Sequence, residues 1–197
     1  DVCSSDLHRN LIDPIFGLPL DLEGFARTLQ HDPGADLFLR LAALAIHKPD
    51  DALTLRETMR LSNTETDRLE KLGEVLMQLS ALPRPLATKQ IRKMAFRYGR
   101  RITTDALIVD MGRRDTKIDS ELWTAAGSAP THSPFTGAMV IKRGVAAGPL
   151  IGQIIRHAEA AWEASDFSSD PQLLQNLISE AIARYSDVTA PANSPAP

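Results

Sequence analysis

Apolar residues recur at helical spacing along almost the whole chain, whereas the alternation of apolar and polar residues that marks a half-buried strand is almost absent. Leu69, Leu72, Leu76 and Leu79 show the pattern, because intervals of three and four place them on one stripe of a helix. Leucine and alanine dominate the apolar positions and aromatic residues make up 5% of the chain, which favours helix over sheet. The sequence therefore predicts an all-α fold of many helices.

Start and stop signals divide the chain into predicted helices. Ser62 and Glu65 have the spacing of a capping box, which indicates that a helix starts at Ser62. Thr88 is a second predicted N-cap, and Pro49 is a predicted stop. The predicted helices cover residues 21–30, 34–47, 51–60, 62–80, 88–101, 104–114, 136–144, 149–165 and 171–185.

A stretch of small residues and prolines at 124–135 (TAAGSAPTHSPF) has the composition of a boundary between domains. We therefore predict a helical body over residues 8–123, a linker over 124–135 and a smaller helical tail over 136–186. The proline-containing residues 187–197 are expected to be disordered. Residues 1–7, part of which a common sequencing adapter can encode, are expected to be either read-through ahead of a truncated gene or a disordered natural N-terminus.

Net charge, cysteine content and the length of the apolar runs limit the classes of protein to which this chain can belong. The net charge is −3, so a nucleic-acid site has to come from a local concentration of cations. The single cysteine, Cys3, excludes an internal disulfide framework and favours a reducing, cytoplasmic location. No apolar run reaches the roughly 18 residues of a membrane span, so no membrane partner is expected.

Reactive side chains do not converge in this sequence. Asp119 and Glu121 form an Asp-x-Glu pair, but no Gly-Ser turn precedes them, so a solvated helix start is favoured over a metal site. His31 and Asp32 form a dipeptide of the kind that metal hydrolases use. The other histidines have no ligand spacing, so a polar turn is favoured there.

The Gly148-Pro149 segment is either a phosphate-binding loop or the start of a helix. Gly152 follows too closely for a phosphate loop, and Pro149 is suited to the first turn of a helix. Apolar residues then recur at intervals of three and four as far as Trp162, which predicts an amphipathic helix with a packed tryptophan. The segment is predicted to start a helix, and no catalytic or metal-binding residue is predicted in this chain.

One stretch is strongly basic. Between residues 84 and 117, ten cations stand against Asp105, Asp110 and Asp115, a local balance of +7 in a chain of net charge −3. Binding to a phosphate backbone requires such a concentration, because the release of counterions supplies the affinity. The ten cations are Arg84, Lys89, Arg92, Lys93, Arg97, Arg100, Arg101, Arg113, Arg114 and Lys117.

Helical spacing predicts that six of these cations share one half of a continuous helix. Phe96 projects from the same half, where its ring could stack on a base or a ribose. A solvated helix face that pairs with acidic neighbours is the alternative to an RNA-binding face. The six cations are Lys89, Arg92, Lys93, Arg97, Arg100 and Arg101.

Several short motifs occur in a fixed order along the chain. PFTGA at 134–138 is followed by GVAAGPLIG at 144–152, then Trp162 and the SDFSSD segment at 165–170. Upstream lie LFLRLAALA at 37–45, LSN at 61–63 and the basic segment 92–98. Over about residues 34–185, these segments resemble the body and tail of bacterial class II CCA-adding tRNA nucleotidyltransferases and their poly(A) polymerase relatives. Met139 and Ala147 depart from the family pattern, which commonly has Asp and Pro there.

The resemblance implies an intact protein that adds C, C and A to tRNA 3′ ends. Mg²⁺ and CTP or ATP would be bound by a catalytic head and neck preceding residue 1, so this chain alone is expected to be inactive. Its body and tail are expected to grip tRNA through shape and phosphate contacts. The alternatives are the same region of a poly(A) polymerase and a standalone helical protein-interaction module. The expected RNA contacts are Lys89, Arg92, Lys93, Phe96, Arg97, Arg100 and Arg101, with Lys142 and Arg143 as a second patch.

Overall fold

The computed structural model describes residues 15–32, 34–117 and 119–189, with side chains as far as residue 185. Ten complete helices lie within these residues, which contain no strand, so the predicted all-α fold is confirmed. The chain divides into two compact units after Ala129. The helices are α1 (Leu22–His31), α2 (Leu37–Ala45), α3 (Asp51–Met59), α4 (Asn63–Ala81), α5 (Thr88–Tyr98), α6 (Arg100–Arg114), α7 (Ser120–Ser128), α8 (Gly137–Ile141), α9 (Pro149–Ala164) and α10 (Pro171–Thr189).

The predicted capping box starts α4. Ser62 Oγ accepts the Glu65 amide at 3.4 Å, and Glu65 Oε2 accepts the Ser62 amide at 2.7 Å. Two amides that have no partner inside the helix are satisfied in this way. The prediction from the Ser62–Glu65 spacing is confirmed.

Two other predicted helix starts are corrected. α2 begins at Leu37 rather than at residue 34, because Asp36 caps it by accepting the Leu39 amide at 2.9 Å. The prediction that Thr88 caps α5 is wrong. Thr88 is the first helical residue, and Ala87 holds the N-cap position without a side-chain hydrogen bond.

The core of the first unit lies around α4 and α6. α6 packs against α1, α2, α4, α5 and α7, and α4 also packs against α3. Because α6 has neighbours on several sides, Asp105 and Asp110 are buried with its apolar residues. The four leucines of the predicted α4 stripe are all buried, which confirms that stripe: Leu69, Leu72, Leu76 and Leu79.

α1 and α6 cross at close range where glycine provides the space. A Cβ atom on Gly112 would lie 2.2 Å from Thr28 Oγ1 and 2.7 Å from the carbonyl oxygen of Gly24. Arg27 Nε donates to the Gly112 carbonyl oxygen at 2.6 Å across the same crossing. The two helices are therefore joined by direct backbone packing and by a long-range hydrogen bond.

The predicted linker is shorter than expected. Residues 120–128 form α7, in which Ala125 and Ala126 are buried, and α7 packs mainly against α5. Alanine has the highest helix propensity, and its small side chain allows close packing of helices. The assignment of residues 124–128 to a linker is therefore wrong, and the first unit ends at Ala129.

The second unit contains α8, α9 and α10. Pro149 lies in the first turn of α9, which confirms that this segment starts a helix. The buried Trp162 donates from Nε1 to the Ser168 carbonyl oxygen at 2.9 Å. Its ring meets those of Phe135 and Phe167 edge-on, at centroid distances of 6.2 and 5.0 Å. Trp162 is thus the packed tryptophan that the sequence predicts.

The ends of the tail helices also differ from prediction. α8 ends at Ile141 rather than at residue 144, and α10 continues to Thr189. The prediction of disorder from residue 187 is therefore wrong for residues 187–189. The predictions for residues 1–7, 8–14 and 190–197 fall outside the described residues. Within the described part of the chain, no helix combines the length and the apolarity needed to cross a membrane.

Candidate nucleic-acid interface

The basic segment forms two helices rather than one. α5 ends at Tyr98, and Gly99 connects it to α6 with a φ of 91°, in the left-handed region that favours glycine. α6 therefore begins at Arg100, ahead of the predicted start at residue 104. The predicted continuous cationic face from Lys89 to Arg101 is wrong, because Gly99 interrupts the helix before its last two cations.

The remaining cations of α5 lie on two sides of the helix. Lys89, Lys93 and Arg97 recur at intervals of four; Lys89 and Arg97 are exposed, and Lys93 is half-buried. Lys93 and Arg97 line a groove of about 280 Å³ between α4 and α5, which we call the α4–α5 groove. The other residues that line it are Gln78, Ala81, Leu82, Gln90 and Met94.

Arg92 lies on the other side of α5. It is half-buried and lines a second groove, also of about 280 Å³, together with Glu121 and Thr124 of α7. Phe96 is half-buried as well. Arg92 and Lys93 therefore belong to different grooves, because α7 packs against α5 on one side and α4 packs against it on the other. The prediction that Arg92 and Lys93 share one surface is therefore wrong.

Arg100 and Arg101 make contacts inside the first unit. Arg100 Nη2 donates to the Ala129 carbonyl oxygen at 2.6 Å, just beyond the end of α7. Arg101 Nη2 binds Asp36 Oδ2 at 2.5 Å. The Arg101 side chain is 71% exposed, so a phosphate would reach it in competition with Asp36. Both residues connect elements of the fold that are distant in sequence.

Three more cations of the basic stretch stabilise the fold. Arg84 Nη2 and Arg114 Nε both donate to the buried carboxylate of Asp110 at 2.8 Å. Arg113 Nη2 donates to the Ile46 carbonyl oxygen at 2.7 Å, just after α2. The local charge of +7 therefore overstates the charge that faces a ligand, because part of it neutralises or caps buried groups.

Arg68 joins two carboxylates that the sequence analysis did not connect. Its Nη2 donates to Asp36 at 2.8 Å and to Asp105 at 2.9 Å, and its guanidinium lies 4.8 Å from the centre of the Phe38 ring. Burial raises the pKa of Asp105, and Arg68 offsets this only in part. Burial also raises the pKa of Asp36, but the Leu39 amide and Arg68 outweigh it and hold that pKa below its usual value.

The Asp36→Asn substitution is expected to lower the free energy of unfolding near neutral pH by about 1 kcal/mol, because a charged hydrogen-bond acceptor becomes neutral. Solvent screens this pair in part, since the Asp36 side chain is 34% exposed. The folded-state pKa of Asp36 lies below the unfolded value of about 3.9. Its contribution is therefore present above that value and is lost as the pH falls through the folded pKa.

Urea unfolding, followed by circular dichroism between about pH 3 and about pH 7, measures this contribution. The curves of the native chain and of Asp36→Asn should converge toward the acid end. Asp50→Asn is the matched control, because Asp50 holds the N-cap position of α3 without a side-chain hydrogen bond to the helix. A difference between the native chain and Asp36→Asn that stays constant over the whole range would contradict the assignment.

The second predicted patch lies at the end of α8. Lys142 is exposed at the C-cap position. Arg143 donates from Nη1 to the Met139 carbonyl oxygen at 3.1 Å and from Nη2 to Oε1 of Gln175. Arg143 therefore links α8 to α10, and Lys142 is the more accessible of the two cations.

Two short motifs were considered as catalytic, Asp119-x-Glu121 and His31-Asp32, and both lie at the end of a helix. Asp119 Oδ1 accepts the Glu121 amide at 3.0 Å at the start of α7, which confirms the predicted helix start. Asp32 Oδ1 accepts the Gly34 amide at 3.0 Å after α1 ends at His31, which confirms the predicted polar turn. Among the described residues, no three His, Cys, Asp or Glu side chains form a group that could hold a metal ion.

Gln78 and Gln90 also line the α4–α5 groove, where they place amide groups, and neither was predicted from the sequence as a site residue. Both are neutral, so a search for charge does not find them. Gln78 lies near the end of α4, outside the leucine stripe, and Gln90 lies in the first turn of α5. Only the packing of α4 beside α5 shows that they line one groove.

No family model matches this chain, and a search of curated proteins finds no significant match.

Proposed function

We propose that this chain is the tRNA-binding body and tail of a CCA-adding tRNA nucleotidyltransferase, an enzyme of tRNA 3′-end maturation and repair in the cytoplasm. The proposal rests mainly on one observation: Lys89, Lys93 and Arg97 lie in a row along α5, although the chain as a whole has a net charge of −3. The ordered motifs between residues 134 and 170 support the choice of family.

A cationic row on a helix suits the backbone of an RNA duplex. Base edges of A-form RNA lie in a deep, narrow groove that side chains do not read, so proteins grip the duplex through phosphates and shape. α5 packs against α4, α6 and α7, so its cations are held on a supported element. Arg84 and Arg114 bind Asp110 of α6, and Arg113 binds the end of α2, so these three arginines are not part of the proposed RNA surface.

The proposal assigns no catalytic residue to this chain. In the intact enzyme, Mg²⁺ and the incoming CTP or ATP would be held by the catalytic head, and the tail cation Lys142 would add a peripheral phosphate contact. The contribution of the residues described here is to bind and orient the tRNA. The α5 row is the part of that contribution that a binding measurement tests most directly.

The double substitution Lys89→Glu and Lys93→Glu is expected to weaken tRNA binding by about tenfold to a hundredfold near physiological salt. The slope of log affinity against log salt should fall by about one for each lysine that contacts a phosphate. Lys93 is half-buried, so thermal unfolding of the double variant is measured first to show that the fold is kept. Fluorescence anisotropy with labelled tRNA across a salt titration measures affinity and slope together.

The matched control is Lys48→Glu with Arg56→Glu, which makes the same charge change at two exposed cations outside α5. This control should keep nearly the native affinity. Equal losses in the two double variants would show a nonspecific effect of net charge and would remove α5 from the proposal. Absence of any tRNA binding by the native chain would favour a protein-interaction module instead.

A further inference from the structure

The α4–α5 groove combines three kinds of lining. Its floor is apolar, formed by Ala81, Leu82 and Met94. Lys93 and Arg97 supply positive charge, and of the described residues that line the groove none is acidic. The two glutamine side chains add amide groups. A groove of about 280 Å³ with this lining suits one flat, polar-edged ring that is attached to an anionic group.

The orientation of the Gln78 amide follows from its neighbours. Gln78 Nε2 donates to the Tyr98 hydroxyl oxygen at 2.7 Å. Because the amide nitrogen is turned toward Tyr98, Gln78 Oε1 is the atom that can accept a hydrogen bond from a ligand.

We propose that the α4–α5 groove binds one unstacked nucleotide whose base carries an exocyclic amino group. The base lies on the apolar floor, its amino group donates to Gln78 Oε1, and the adjoining phosphates lie beside Lys93 and Arg97. Unstacked bases read through their edges are the usual basis of sequence preference in RNA recognition. This inference rests on the proposed RNA-binding function and adds a base preference to it.

The orientation of Gln78 discriminates between the two pyrimidines. Cytosine presents an amino group at C4, whereas uracil presents a carbonyl oxygen there, which would face Gln78 Oε1 as acceptor against acceptor. Cytosine gains one hydrogen bond and avoids that repulsion, so it should bind with roughly tenfold higher affinity than uracil. Adenine also carries an amino group and should be favoured over uracil.

The test compares short single-stranded oligocytidylate and oligouridylate of equal length, measured with the full chain by fluorescence anisotropy. The native chain should bind oligocytidylate roughly tenfold more tightly. Gln78→Met, which keeps the length of the side chain but removes the amide, should abolish that preference: the affinity for oligocytidylate should fall, and the affinity for oligouridylate should rise slightly because the repulsion is gone. The control Gln30→Met, at an exposed glutamine of α1, should keep the preference.

Equal affinity of the native chain for the two strands overturns this inference, and so does a preference that persists in Gln78→Met. If tRNA binds but the two strands bind equally, the inference fails while the proposed function stands. If neither tRNA nor either strand binds, the proposed function itself has failed. Tighter binding of an oligoglutamate peptide than of either strand, lost in Lys93→Met, would assign the groove to an acidic protein partner and overturn the nucleotide assignment.

Discussion

Gly112→Ala is expected to lower the free energy of unfolding by about 3 kcal/mol, because the added methyl group has no space at the crossing of α1 and α6. Its Cβ would lie 2.2 Å from Thr28 Oγ1 and 2.8 Å from the Thr28 amide nitrogen. Backbone and a buried side chain obstruct the methyl group, so a simple rotamer change cannot make room. The two helices would have to separate, which would also lengthen the bond from Arg27 to the Gly112 carbonyl.

Gly127→Ala is the matched control for this prediction. Gly127 lies inside α7, and a Cβ there would have no heavy atom within 4 Å. The control should stabilise the chain by about 0.5–1 kcal/mol, since alanine has the higher helix propensity. Urea unfolding monitored by circular dichroism gives both values. A Gly112→Ala variant as stable as the native chain would show that α1 and α6 do not cross as described.

Arg113→Met is expected to lower the free energy of unfolding by about 3 kcal/mol, because it removes the guanidinium donor from the Ile46 carbonyl and leaves the Ala42 carbonyl only the Ile46 amide as a donor. Arg113 Nη2 donates to the carbonyl oxygens of Ala42 at 3.0 Å and Ile46 at 2.7 Å. Ala42 and Ile46 are fully buried, so water cannot readily replace the guanidinium. Methionine keeps much of the apolar stem, so the loss reports on these hydrogen bonds together with the ion pair to Asp21, whose Oδ2 lies 3.6 Å from Arg113 Nε.

Arg56→Met is the control for Arg113→Met, because Arg56 is exposed on α3. Its effect should stay within about 0.5 kcal/mol. Thermal unfolding and tRNA binding should be measured on the same samples. A variant at Arg113 that keeps its stability but loses affinity for tRNA would contradict the structural role described for this residue.

Features that depend on neighbours within one or two helical turns could be predicted from the sequence. The capping box at Ser62 and Glu65 needs only a spacing of three, and Pro149 is suited to a first turn wherever the helix packs. The leucine stripe of α4 follows from helical periodicity for the same reason. These predictions are confirmed because the physical cause of each lies within its own helix.

The distribution of the cations could not be predicted in this way. Arg113 binds a carbonyl 71 positions away, at Ala42, and Arg84 binds Asp110 at a separation of 26 positions. A count of charges along the sequence treats such arginines as equal to an exposed Lys89. The α4–α5 groove depends likewise on the packing of two helices, so the position of Gln78 in its wall becomes visible only in the fold.

Gly99 separates two helices that differ in how their charged residues are placed. A Cβ there would have no heavy atom within 4 Å, so the demand for glycine comes from its φ of 91° and not from lack of space. On one side of this residue, α5 carries the exposed cations Lys89 and Arg97. On the other side, the buried carboxylates of α6 anchor the fold. Substitutions at the exposed positions of α5 should therefore cost less stability than substitutions at Asp105 or Asp110.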